Sequence, residues 1–154
     1  MKKFGFTLAE ILIALAIVGI VAAITLPTLT TSTKKETNMA KAKVTVSDLE
    51  NAFSLMIASE GVQDLEEAKI CDGGNLYNEL SKYVKVSTAD SAIESGTGFK
   101  MKNGAIVSIK IKSTTSTTEV ADINIDVNGT DNPNKDGLDQ FDYVLDAYGM
   151  LTEN

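Results

Sequence analysis

The sequence predicts an α+β chain: one long N-terminal helix followed by a small antiparallel sheet of about four strands. Three observations predict it. Residues 6–26 form an almost unbroken apolar run, and beyond it Ala42, Val46, Leu49, Phe53 and Met56 step by four and three residues, the stripe of an amphipathic helix. In the second half, FKMKNGAIVSIKIK carries the turn pair Asn103-Gly104 between two runs, the sign of a hairpin. Further on, Ile123, Ile125 and Val127, then Phe141, Tyr143 and Leu145, alternate mainly with polar residues, as half-buried strands do.

Between Phe6 and Leu26 the polar residues are Thr7, Glu10 and Thr25. At a helical rise of about 1.5 Å per residue the run reaches about 30 Å, the thickness of a bilayer's hydrocarbon core. A carboxylate in such a segment costs about 2.5–3.5 kcal/mol at the membrane centre and less near the interface, so Glu10 calls for a cation. No other ionisable side chain lies between Lys3 and Lys34. An intrahelical partner is therefore excluded unless a cut after Gly5 frees an amine on Phe6. A secretory signal has its small-residue cleavage site after the apolar core, whereas Gly5 stands before it. A plain signal anchor, or a signal cut near Ala22 and Ala23, leaves Glu10 unexplained. Gly19 and Ala23 form a small-xxx-small pair that lets helices approach, although membrane helices are rich in small residues anyway. Gly19 and Pro27 mark where the helix can bend.

Lys2-Lys3-Phe4-Gly5 followed by Phe6-Thr7-Leu8-Ala9-Glu10 resembles the class III leader and cleavage site of type IV pilins and the type II secretion pseudopilins. The resemblance implies removal of residues 1–5 by a prepilin peptidase, N-methylation of Phe6, and a role for Glu10 in assembly, opposite the N-terminal amine of a neighbouring subunit. It also implies the pilin fold and a single pass through the bacterial inner membrane, with the N-terminus cytoplasmic before processing. An inner-membrane assembly platform would then draw the chain into a helical filament, periplasmic or extracellular, as a homo- or hetero-oligomer with other pilins or pseudopilins. Pro27 falls where the family commonly has a helix-kinking proline. Lys2 and Lys3 favour a cytoplasmic N-terminus, and Lys34 and Lys35 on the far side weaken that bias. The expected layout is leader 1–5, transmembrane and filament-core helix 6–27, amphipathic continuation 28–61 and globular head 62–154.

Taken in order, the helix is expected from about Phe6 to Glu60, through a threonine-rich connector at 28–33, with Gly61 as its C-cap. Asp64 can cap a short turn through Ala68, and Leu76, Leu80 and Tyr83 mark a second helix starting near Asn75. Asp72-Gly73-Gly74 beside Cys71 reads as loop, and residues 87–98, rich in Ser, Thr and Gly, as a connector. In the hairpin a two-residue loop would put Phe99 and Met101 on one face with Lys110 and Lys112. A three-residue loop, Lys102-Asn103-Gly104 with Gly104 left-handed, instead gathers Phe99, Met101, Ala105, Val107, Ile109 and Ile111. That register leaves Lys100, Lys102, Lys110 and Lys112 outside, either as a solvated face that discourages edge pairing or as a patch for an acidic neighbour. Residues 113–118 are a polar loop, and Ala147-Tyr148-Gly149 turns the chain into a short segment, Met150-Leu151.

The 154 residues leave room for one small head beyond the anchor. The formal charge is −7, and removal of Lys2 and Lys3 takes it to −9 before the new terminus is counted, which argues against nucleic acid as a partner. Histidine is absent, removing the usual general base, so an enzyme is not expected. Cys71 is alone and forms no internal disulfide, unlike the cystine-closed C-terminal loop of many pilins. Residues 126–139 are instead dense in oxygen ligands. Asn132-x-Asn134-x-Asp136-Gly137 echoes half of an EF-hand loop, and Asp126, Asp131 and Asp139 could complete a calcium site, as several pseudopilins resemble this chain in doing. The plainer reading is a turn rich in Asn, Gly and Asp whose aspartates are solvated. The acidic loop and the missing cystine lean toward a pseudopilin or minor pilin. The alternative of another class is a membrane-tethered extracytoplasmic calcium-binding module that does not polymerise.

Overall fold

The computed structural model of the chain describes residues 5–67, 75–87, 98–112, 118–129, 131 and 133–154. Its elements are helices α1 (Leu8–Glu60) and α2 (Asn75–Tyr83), and strands β1 (Gly98–Lys100), β2 (Ile106–Ile111), β3 (Ala121–Asp126), β4 (Gln140–Leu145) and β5 (Leu151–Glu153). Contacts divide the chain into two units, 1–36 and 37–154, with α1 contributing to both.

In the first unit α1 is apolar and exposed, and it includes a stretch of mean hydropathy 2.6 that is long and apolar enough to cross a membrane. Gly19 and Pro27 both lie inside the helix. The stretch that read as a connector stays helical, and at three of its threonines, as at Thr25 before it, the hydroxyl folds back on a carbonyl of the preceding turn. Thr25 Oγ1 donates to Val21 O at 2.9 Å, Thr30 Oγ1 to Pro27 O at 2.9 Å, Thr31 Oγ1 to Pro27 O at 3.0 Å and Thr33 Oγ1 to Leu29 O at 2.9 Å. Each hydroxyl is thereby satisfied without water, which suits an apolar segment.

In the second unit the remainder of α1 packs against a five-stranded antiparallel meander, order β1-β2-β3-β4-β5. The expected stripe supplies the helix side of the core: Ala42, Leu49, Phe53 and Met56 are buried, with Val46 partly so. Leu76 and Leu80 from α2 and Val107, Ile123, Ile125 and Leu145 from the sheet complete it. Gly61, at φ 67°, ends α1 as expected, with Val62 N donating back to Ile57 O at 3.4 Å. Asp64 Oδ1 accepts from Glu67 N at 2.8 Å, the expected capped turn.

The β1–β2 hairpin has the three-residue loop. Met101 N donates to Ala105 O at 2.8 Å, Phe99 pairs with Val107, and Gly104 stands at φ 91°. The sheet has five strands rather than about four, since the segment after Gly149 pairs with β4 through Leu145↔Leu151, Val144↔Thr152 and Tyr143↔Glu153. Cys71, the loop beside it and most of the 87–98 and 113–118 connectors lie outside the described residues.

Candidate functional site

The N-terminal end of α1 is built by a reciprocal cap. Thr7 N donates to Glu10 Oε2 at 2.7 Å, Thr7 Oγ1 donates to the same oxygen at 2.7 Å, and Glu10 N donates to Thr7 Oγ1 at 3.3 Å. This is the capping box of a Thr-x-x-Glu sequence, which satisfies donors that the first helical turn otherwise leaves open. It corrects the expectation that Glu10 has no intrahelical partner. That reasoning considered only ionisable side chains, whereas a hydroxyl and an amide suffice, and Thr7 three residues before Glu10 is the pattern that signals them. The carboxylate also lies at the positive end of the helix dipole. Gly5 and Phe6 precede the helix and are exposed, Phe6 at 84 %. A Cβ built on Gly5 or on Gly19 meets no atom within 4 Å among the described residues, so neither glycine is required by the packing of its own chain.

The acidic loop is organised around Asp139, which is fully buried. Its Oδ1 accepts from Lys135 N at 2.6 Å, and its Oδ2 accepts from Asn134 N at 2.9 Å and from Asn128 Nδ2 at 3.1 Å. Main-chain bonds close the loop beneath it, Val127 N to Asp139 O at 2.9 Å and Gly137 N to Gln140 O at 2.9 Å. Asn38 Nδ2 of α1 donates to Leu138 O at 2.9 Å and holds the loop to the helix. Asp126 is also buried, and its oxygens accept from Asn128 N and from Gln140 Nε2. Desolvation pushes its carboxyl above the usual range, and the charge of Asp139 adds to that against the hydrogen bonds from Gln140 and Asn128. Asp131, Asn134 and Asp136 point to solvent, Asn134 with a left-handed φ of 48°. Asn132 lies outside the described residues.

A calcium ion takes six to eight oxygens. Here both oxygens of Asp139 already face N–H donors, and among the described residues no three acidic side chains converge on a common point. One buried acceptor, Asn128 Oδ1, lacks a partner among the described residues. As folded, the described residues fit a turn fastened by a carboxylate and not a calcium cage. A groove of about 320 Å³ lies between α1 and the hairpin, lined by Ala40, Lys41, Val44, Thr45, Asn103 and Val127.

The second unit thus presents an α+β, pilin-like fold, and the first an apolar helix opened by a carboxylate. Residues 1–26 match the family model described as the prokaryotic N-terminal methylation motif. That motif indicates a class III prepilin leader, as in type IV pilins and pseudopilins, and it speaks for a structural rather than a catalytic chain. The motif and the long apolar helix are compatible with anchoring in the inner membrane. Compared with curated proteins and with solved structures, the chain matches none.

Proposed function

We propose that the chain is a subunit of a type IV pilus-like filament, processed by a prepilin peptidase and gathered with other pilins or pseudopilins from the inner membrane. The observation that carries this reading is the methylation motif at residues 1–26 on an exposed apolar helix. Cleavage after Gly5 leaves Phe6 as the terminus that is methylated, and places its amine four residues from Glu10. Because the surroundings of Gly5 are open, the demand for a small residue there comes from the peptidase's cleft and not from this fold.

Before assembly, Thr7 satisfies Glu10, which lowers the cost of holding a carboxylate in a bilayer. In the filament the same carboxylate turns to the amine of a neighbouring copy and fixes its register, and Gly19 leaves room for an adjacent helix.

The test is mass spectrometry of the N-terminus of native protein, expected to show loss of residues 1–5 and one added methyl on Phe6. An intact Met1 would refute processing. In the same cells Glu10→Ala is expected to give a processed, membrane-bound subunit that enters filaments poorly, and normal filaments would remove the role of Glu10. The filament's type is read from what fails in a deletion strain, surface fibres or the export of folded enzymes.

A further inference from the structure

The turn between β4 and β5 carries an apolar tip that its own chain leaves uncovered. Tyr148 and Met150 are 59 % and 53 % exposed on either side of Gly149, which is itself packed against Phe53 of α1. The turn is firmly held. Asp146 Oδ1 accepts from Tyr148 N at 3.0 Å and from Met150 N at 2.8 Å, and Leu65 N donates to Ala147 O at 2.8 Å. Both side chains are therefore presented from a fixed backbone, which lowers the entropy lost when they are covered. Among the described residues nothing pairs with the Tyr148 hydroxyl or with Asp146 Oδ2.

The groove between α1 and the β1–β2 hairpin is the converse. Its volume of about 320 Å³ is at the lower end of small-ligand sites, about 300–1,000 Å³, and admits one aromatic side chain rather than a helix. Its walls are apolar, Ala40 and Val44 from α1 with Ala105 and Val127 from the sheet side. Two polar groups on its lining are unspent. Thr45 is fully buried, and its Oγ1 accepts from Asn103 Nδ2 at 3.1 Å, an orientation fixed because Asn103 Oδ1 accepts from Ala105 N at 3.0 Å. The Thr45 hydroxyl proton, unlike those of Thr30 and Thr31, has no acceptor among the described residues. A buried donor without an acceptor is a standing cost, which an oxygen brought into the groove removes. Lys41 is exposed beside it and has no carboxylate within salt-bridge distance among the described residues.

We infer that Tyr148 of one copy of the chain inserts into this groove of the next, its ring against Val44, its hydroxyl oxygen accepting from Thr45 and the neighbouring Asp146 carboxylate turned to Lys41. The occupant is a second copy because the tip answers the groove group for group, an apolar ring ending in an oxygen beside a half-engaged carboxylate. Charge agrees with this. No carboxylate lines the groove, and Asp131 and Asp136 of the loop held at Asn38 stand outside its lining. From Asp48 to Glu67, a segment that reaches the tip at Leu65, the chain carries six carboxylates and no cation. One chain cannot satisfy itself, since the tip is fastened at Phe53, about 12 Å further along α1 than Thr45. Tip and groove are different patches, so the contact runs head to tail. A single side chain in a groove falls well short of the roughly 1,000 Å² that a self-standing interface buries. The contact therefore rests on the filament reading for what holds the copies together, and it sets which part of one head faces which part of the next.

Full-length protein carrying the photoreactive residue p-benzoylphenylalanine in place of Met150 is irradiated in its own cells. A two-chain adduct is expected on a denaturing gel, with its peptide map joining position 150 to the groove segment 40–45 of the other chain. Tyr148→Ser should reduce the adduct about tenfold, as should Val44→Glu, whereas Val44→Ile should keep it. An adduct that maps elsewhere, or one undiminished by both reducing variants, overturns the contact. A probe coupled to lipid also overturns it and assigns the tip to the membrane. Val44 and Tyr148 are exposed, so the variants should retain a native circular dichroism spectrum. Should either disturb it, Lys41→Glu is read instead and should lower the yield about threefold. The N-terminus is read by mass spectrometry from the same cells. No adduct with Phe6 processed overturns the contact and leaves the filament standing. An adduct in the groove with residues 1–5 retained upholds the contact and refutes the filament.

Discussion

At the scale of single residues, two glycines with the same backbone differ in what surrounds them. Gly104 (φ 91°) faces open space, whereas a Cβ on Gly149 (φ 84°) would stand 2.7 Å from Phe53 Cβ. Gly104→Ala therefore meets only the left-handed backbone penalty, about 1–2 kcal/mol, while Gly149→Ala adds a clash with the core of roughly 1–3 kcal/mol more. Urea unfolding of the two variants should separate them in that order. Asp139→Ala leaves the N–H groups of Asn134 and Lys135 without their acceptor in a closed loop and is expected to cost about 1–3 kcal/mol, read from the same curves. Glu10 carries the lesson about legibility at this scale. Its position was plain from the sequence, but its partner was missed, because a charge was sought where a threonine hydroxyl and an amide were enough.

At the scale of elements, the long helix, the second helix and the first hairpin were legible because each rests on a strong local signal: a stripe of period 3.6, a glycine stop, an Asn-Gly turn. The fifth strand was not, since Leu151-Thr152-Glu153 has one apolar residue and no alternation to read. Yet β4–β5 turns by the same device as β1–β2. Asp146 N donates to Met150 O at 3.0 Å and Gly149 N to Asp146 O at 3.3 Å, as Met101 N does to Ala105 O and Gly104 N to Met101 O. In both, glycine stands three residues after the last paired residue, and a side-chain oxygen, Asn103 Oδ1 or Asp146 Oδ1, accepts from the backbone of the turn. That spacing, applied to Gly149, would have found the strand. The sheet's titrating pairs also set an alkaline limit. Burial holds the Tyr143 hydroxyl above its usual 10.0, with Glu153 adding to it, so the unfolded chain ionises first and stability falls as pH passes 10.0. Lys112, held above 10.5 mainly by Asp122, contributes stability that is present below 10.5 and lost as pH rises through its raised value. Melting temperature should accordingly be flat from neutral pH and drop above about pH 10, and Lys112→Met should blunt that drop.

At the scale of the whole molecule, the chain divides into a unit whose exposed apolar helix is compatible with a membrane anchor and a unit with a buried core of its own. The fold of the second unit closes through its apolar core and through Asp139, both of whose oxygens are engaged by N–H donors of Asn128, Asn134 and Lys135. The melting temperature is therefore expected to be the same in millimolar calcium and in chelator. A rise with calcium would mean that the loop refolds to free the oxygens of Asp139 from their N–H donors. The sequence displayed the density of oxygens in this loop. It did not display that backbone amides reach Asp139 first, which depends on how the turn at Asn134 to Gly137 closes.

The order of the strands also has a consequence for folding. Each strand pairs with the one next to it in sequence, so the sheet grows hairpin by hairpin with a small loop-closure entropy at each step. The packing of α1 on that sheet joins residues about a hundred positions apart, as in the bonds from Asn38 to Leu138 and from Leu151 to Glu50. The slow step of folding is therefore expected to be the docking of the helix and not the formation of the sheet.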